Sequence, residues 1–140
     1  GVTVTASNLQ LYRDDSKDLF GNSFTNTDTD SVEIIATAQA SGTSYANTDY
    51  GLVTFSSKGS RAFSGWSNLA YSTITITDQS LINKTGYTKM AAISGRDLNN
   101  NAPTGDNNLW FQKTSDANPP VLTVTYLLGS ASASFLLNFV

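Results

Sequence analysis

Asp97, Asn99 and Asn101 carry oxygen ligands at alternate positions, with Asp106 beyond them, in the segment "DLNNNAPTGD". Hard cations such as calcium take carboxylate and amide oxygens of this kind. These four residues are therefore read as a candidate calcium site. The pattern departs from an EF-hand loop, because Ala102 stands where the turn glycine belongs and no acid closes the loop. The competing reading is a polar loop whose Asn and Asp side chains form turns. Two other acidic stretches, "RDDSKD" and "TDTD", read as solvated turns. Aromatic rings can stack on the apolar face of a sugar. Trp66, Trp110 and Tyr71, with Tyr45 and Tyr50, are the candidates for a glycan surface, and Trp66 lies between turn signals in "FSGWSN". A core or interface role is the competing and preferred reading for both tryptophans.

The inventory for catalysis is sparse. The chain has no cysteine and no histidine. Disulfides, thiolate metal sites and cysteine nucleophiles are excluded, and so is a Ser-His-Asp triad. The single glutamate, Glu33, lies within an expected strand, and no pair of carboxylates sits in a recognisable glycosidase context. The expectation is a non-enzymatic protein with no cofactor unless calcium is one. Asn83-Lys84-Thr85 fits the N-glycosylation pattern, a triplet short enough to arise by chance.

The elements that must position these residues are strands. One chain of 140 residues fits one domain. Charged residues are 14%, while Ser, Thr and Asn make up 49 positions. That exchange is typical of extracellular β-proteins and virion surface proteins. A net charge of -3 argues against a nucleic-acid surface. No apolar run approaches the ~20 residues of a membrane span. Apolar residues alternate with polar ones nearly everywhere. "VTVTASNLQLY" shifts phase near Ala6-Ser7-Asn8, which predicts a bulge or a break. "SVEIIATA", "GLVTF", "YSTITIT", "YTKMAAI", "NLWFQ" and "VLTVTYL" read as further strands, with "SSKGSR" and "DLNNNAPTGDNN" among the turns. Short helical turns are expected at Asp78 to Asn83 and near Tyr45 to Tyr50. Val32, Ile34, Ile74, Ile76, Leu122, Val124 and Tyr126 are the expected inward set. The architecture predicted is an all-β, antiparallel β-sandwich of jelly-roll type.

Three stretches carry a family resemblance: "ASNLQLY" (6–12), "INKTGYT" (82–88) and "NPPVLTVTY" (118–126). Together they resemble the DNRLRE-type β-sandwich domain, in a branch common in phage and bacterial surface proteins. The resemblance spans about Val2 to Tyr126, and its motifs are strand patterns rather than chemistry. It implies a jelly-roll-like sandwich found in adhesins, in secreted polysaccharide-degrading enzymes as a non-catalytic module, and in virion proteins. Some relatives are similar to carbohydrate-binding modules. The earlier strands that usually precede the "LY" strand are not in this chain. It opens at Gly1 with neither Met nor a signal peptide, as a processed product or a segment of a longer chain would.

The segment "GSASASFLLNFV" divides the chain into a domain over 1–128, a flexible spacer over 129–134 and an apolar segment over 135–140. Phe135, Leu136, Leu137, Phe139 and Val140 are too apolar to remain in water. They are expected in an interface with other copies or another chain of the same assembly, with a last strand of the chain's own sheet as the rival. The reading is a structural and adhesive homo-oligomeric module at an extracellular or virion surface. The alternative is a carbohydrate-binding module recognising a surface glycan.

Overall fold

The computed structural model describes residues 1–14, 30–39, 47–102 and 109–129. Among these residues six strands form two antiparallel sheets. They are β1 (Val2–Arg13), β2 (Ser31–Thr37), β3 (Val53–Ala62), β4 (Ala70–Ile76), β5 (Met90–Ser94) and β6 (Val121–Leu128). One sheet has the order β4-β1-β6, the other β3-β2-β5. The protein is therefore all-β with sandwich-like layering. Its only α-helical element among the described residues is the single turn α1 (Gly95–Leu98).

Alternation fixes which residues meet between the sheets. Leu9 and Leu11 of β1 and Ile74 and Ile76 of β4 face Val32 and Ile34 of β2. Phe63, Trp66 and Leu81 complete this buried cluster, and Ala36, Met90, Leu109 and Phe111 pack against it. Register puts Leu9 opposite Ile74 and also opposite Leu122, so the three share a face. The expected inward set divides at this point. Val32, Ile34, Ile74 and Ile76 are buried, but Leu122 and Tyr126 are exposed and Val124 is half-buried. Their facing follows the register. Their burial fails because β6 is an edge strand, and residues at the margin of a sheet lie partly beyond the opposing layer.

β1 is one continuous strand, and its phase shift is a bulge between Val4 and Ala6 in the ladder with β6. "SSKGSR" is not a turn. It is the second half of β3, which pairs with β2 through two register shifts. The small and basic residues that look like turn signals serve a seam between the sheets. At Gly59 an added Cβ would lie 2.5 Å from the Thr75 carbonyl oxygen and 3.3 Å from the Ile76 Cα. That contact is possible only without a side chain. Beside it, Thr77 donates its N–H to the Lys58 carbonyl at 2.7 Å, and Arg61 Nη1 donates to the Thr73 carbonyl at 3.0 Å. The described part of "NLWFQ", residues 109–112, contributes an isolated bridge, Phe111 to Arg13, rather than a strand. Short 3-10 turns occur at Asn47–Leu52 and Gln79–Leu81, the latter capped by the Asp78 carboxylate.

Candidate functional site

The expected calcium ligands do not converge as a set. Asp106 lies outside the described residues. Asp97 and Asn99 part company because "GRDL" coils into α1 rather than staying extended. A helix turns about 100° per residue, so positions two apart point to nearly opposite sides. Asp97 helps to wall a cavity beside β5 with Thr37, Gln39 and Met90. Asn99 and Asn101 wall another, with Asp30, Ser31, Gly95 and Arg96.

The local chemistry explains the turn. Ser94 caps it, its hydroxyl accepting the N–H groups of Arg96 and Asp97. At the other end Asn100 takes φ 54, a conformation asparagine tolerates well. The N–H of Asn101 then bonds the Arg96 carbonyl at 2.8 Å and that of Asn100 the Asp97 carbonyl at 3.2 Å. These two bonds make a Schellman ending. The sequence carries a signal for this turn, Ser94 followed three residues later by Asp97.

Sequence reasoning passed over three buried acids, Asp14, Asp30 and Glu33. Asp30 reads as a solvated turn residue, yet it is 7% exposed. Its Oδ1 accepts the N–H groups of Ser31 and Arg96. Glu33 is equally buried and accepts hydroxyl hydrogen bonds from Ser31, Ser57 and Ser60. Its phase, opposite to Val32 and Ile34, placed it away from the core. Three hydroxyl donors replace the water it loses there.

The aromatic candidates are dispersed. Trp66 is 4% exposed, with Phe111 at 4.8 Å between ring centroids and the Arg61 guanidinium 5.6 Å over the ring. It has no open face for a sugar, and the core reading holds for it. Trp110 is half-buried, and the indole N–H of both tryptophans is buried without an acceptor. Tyr71 is exposed, stands edge-on to Tyr12 at 5.2 Å, and donates its hydroxyl to the Pro119 carbonyl. Tyr45 lies outside the described residues, and Tyr50 belongs to the Asn47–Leu52 turn.

Asp78 has a displaced titration. Hydrogen bonds from Lys58 first, then from Ser80, lower its pKa from 3.8 to about 2. The Lys58–Asp78 ion pair spans 2.7 Å beside the β3–β4 seam.

β6 carries an exposed apolar surface. None of its eight residues is buried. Val121, Leu122, Tyr126, Leu127 and Leu128 are all exposed, and Val2 of the adjoining β1 is exposed with them. β6 pairs with β1 along one edge, and no described strand pairs with the other. Residues 135–140, the expected interface segment, lie outside the described residues.

These features define an all-β protein of two facing sheets with an apolar edge strand. No protein-family model, curated protein or solved structure matches the chain. No helix among the described residues is long and apolar enough to cross a membrane.

Proposed function

We propose that this chain is a non-enzymatic structural and adhesive module, a jelly-roll-type β-sandwich resembling the DNRLRE-type domain, working in an extracellular or virion-surface assembly. The observation that carries this reading is β6. An eight-residue edge strand with exposed apolar residues on both faces is a template for another strand. Its occupant is the segment Phe135 to Val140 of a second copy, which is apolar on both faces except at Asn138. The spacer "GSASAS" has the composition of a flexible linker that lets this segment leave its own domain. Strand addition supplies main-chain hydrogen bonds as well as side-chain burial. Burial of three large apolar side chains contributes roughly 5–9 kcal/mol. Ordering six residues costs about 1–2 kcal/mol each, so backbone pairing is needed to hold the contact. The non-consecutive neighbours in both sheets suit a jelly-roll path. The glycan-binding alternative loses a platform with Trp66 inside the core.

The test is to delete residues 135–140 and, separately, to substitute Leu127→Lys, then to size each protein by light scattering. Both variants are expected to fold and to lose the assembly. A deletion variant that stays assembled, or a full-length chain that is monomeric at all concentrations, overturns the reading.

A further inference from the structure

The two faces of β6 differ. Its register with β1 sets Leu122 opposite Leu9 and Val124 opposite Ser7, and both β1 residues are buried. Alternation then places Leu122, Val124, Tyr126 and Leu128 on the core side, with Val121, Thr123, Thr125 and Leu127 on the outer side. The bulge between Val4 and Ala6 lies in β1, so the alternation of β6 runs unbroken. The core side is apolar at every position, and Leu122, Tyr126 and Leu128 are exposed there. The outer side is apolar at its ends and polar in its middle. That middle continues a polar row across the sheet, in which Thr75 of β4 lies opposite Asn8 and Asn8 opposite Thr123.

Residues 135–140 carry the same two patterns. In an extended strand Phe135, Leu137 and Phe139 fall on one side, and Leu136, Asn138 and Val140 on the other. The first set is large and apolar throughout. The second is apolar at its ends with an amide between them. Laid beside β6 in either strand direction, the segment matches both patterns in one facing. Phe135, Leu137 and Phe139 then extend the core-side layer, and Asn138 joins the threonines. The opposite facing sets the amide beside the core-side residues of β6, whose only side-chain polar atom is the Tyr126 hydroxyl. It also turns both phenylalanines towards Thr123 and Thr125. A side-chain amide that loses water without gaining a partner is costly. The period is two, so a slip of one residue makes this exchange at every position.

We propose that Asn138 fixes the facing of the segment when it adds to β6 of a second copy, standing on the outer side beside the β6 threonines. The proposal rests on the strand-addition reading and names the residue that gives that contact its specificity. The apolar side chains hold the contact, and Asn138 rejects the wrong seating.

The chain has no cysteine, so engineered pairs form disulfides without competition from native thiols. Full-length protein carries Leu136→Cys, on the Asn138 side of the segment, together with one cysteine in β6. The outer-side partners are Thr123→Cys, Thr125→Cys or Leu127→Cys, and the core-side partners Leu122→Cys, Val124→Cys or Tyr126→Cys. Directly opposite side chains on one face come within disulfide reach, whereas those on opposite faces point apart. After mild oxidation, links between copies beyond those of the single-cysteine controls are expected with the outer-side set, exceeding the core-side set about tenfold or more. Adding Leu137→Asn with Asn138→Leu keeps the composition of the segment and moves its amide to the other side. The links are then expected to move to the core-side set. Asn138→Leu alone is expected to keep the assembly and to link on both sides. Native residues 137 and 138 linking to the core-side set, or to both sets equally, overturn the proposal, as does a pattern that the 137/138 exchange leaves unchanged. Loss of assembly in Asn138→Leu also overturns it. Links within one chain, or none with any β6 position, overturn the strand-addition reading itself and the proposal with it.

Discussion

Gly59→Ala tests the seam between the sheets. The added Cβ would stand 2.5 Å from the Thr75 carbonyl oxygen, 3.1 Å from Ile74 Cγ2 and 3.3 Å from the Ile76 Cα. The nearest of these is backbone, so no side chain can swing aside, and β3 must move from β4. Overpacking of this kind costs about 1–3 kcal/mol. The displacement also stretches the 2.7 Å bond from the Thr77 N–H to the Lys58 carbonyl, a loss of about 0.5–1.5 kcal/mol. Alanine restricts the unfolded chain more than glycine, which returns about 0.4–1 kcal/mol. The net expectation is a destabilisation of roughly 0.5–4 kcal/mol. Urea unfolding of the deletion variant lacking residues 135–140, followed by tryptophan fluorescence, measures it. A loss below about 0.5 kcal/mol, the scale of ordinary surface changes, would refute the close approach of the two strands.

Two further outcomes are expected. In the same deletion background, Ile76→Ala costs about 2–5 kcal/mol as a core cavity, whereas Leu122→Ala, 38% exposed, costs under about 1 kcal/mol; urea midpoints that rank them the other way contradict the assignment of β6 to the sheet margin. Asp78 titrates near pH 2 instead of 3.8, and because its folded pKa is the lower one, its stabilising contribution is present above pH 3.8 and disappears as pH falls towards 2; a carboxyl-carbon NMR titration centred near 3.8 rules this out.

Much of the fold is legible in period-two alternation. β2 and β4 are placed by it, and so is the inward facing of Val32, Ile34, Ile74 and Ile76. The failures have specific causes. Alternation gives the face of Leu122 and Tyr126, but not their position at the margin of a sheet, which depends on pairing between distant segments. The polar half of β3 is hidden because Gly59, Arg61 and the serines are chosen for contacts with β4 and Glu33, not for strand propensity. The cavity beside α1 is half legible. Asn99 and Asn101 are visible in the sequence, while Asp30 reaches them only through the pairing of β2 with β5 that carries α1 against the start of β2. Asp97 is misplaced by treating a helical turn as extended.

The position of β1 has a consequence for how the protein reaches this structure. It is the first strand in the chain and the centre of its sheet, yet both its neighbours come from far along the sequence. The Thr5 hydroxyl bonds the Thr125 carbonyl, 120 positions away. Loop closure over such distances must precede any reward from pairing, which slows folding. The β3-β2-β5 sheet closes over shorter loops and so has the advantage in time. Until residues 121–128 arrive, β1 presents an unpaired apolar edge on a partly folded chain. Refolding yield should therefore fall as protein concentration rises, because an edge waiting for a distant partner can pair with another molecule first.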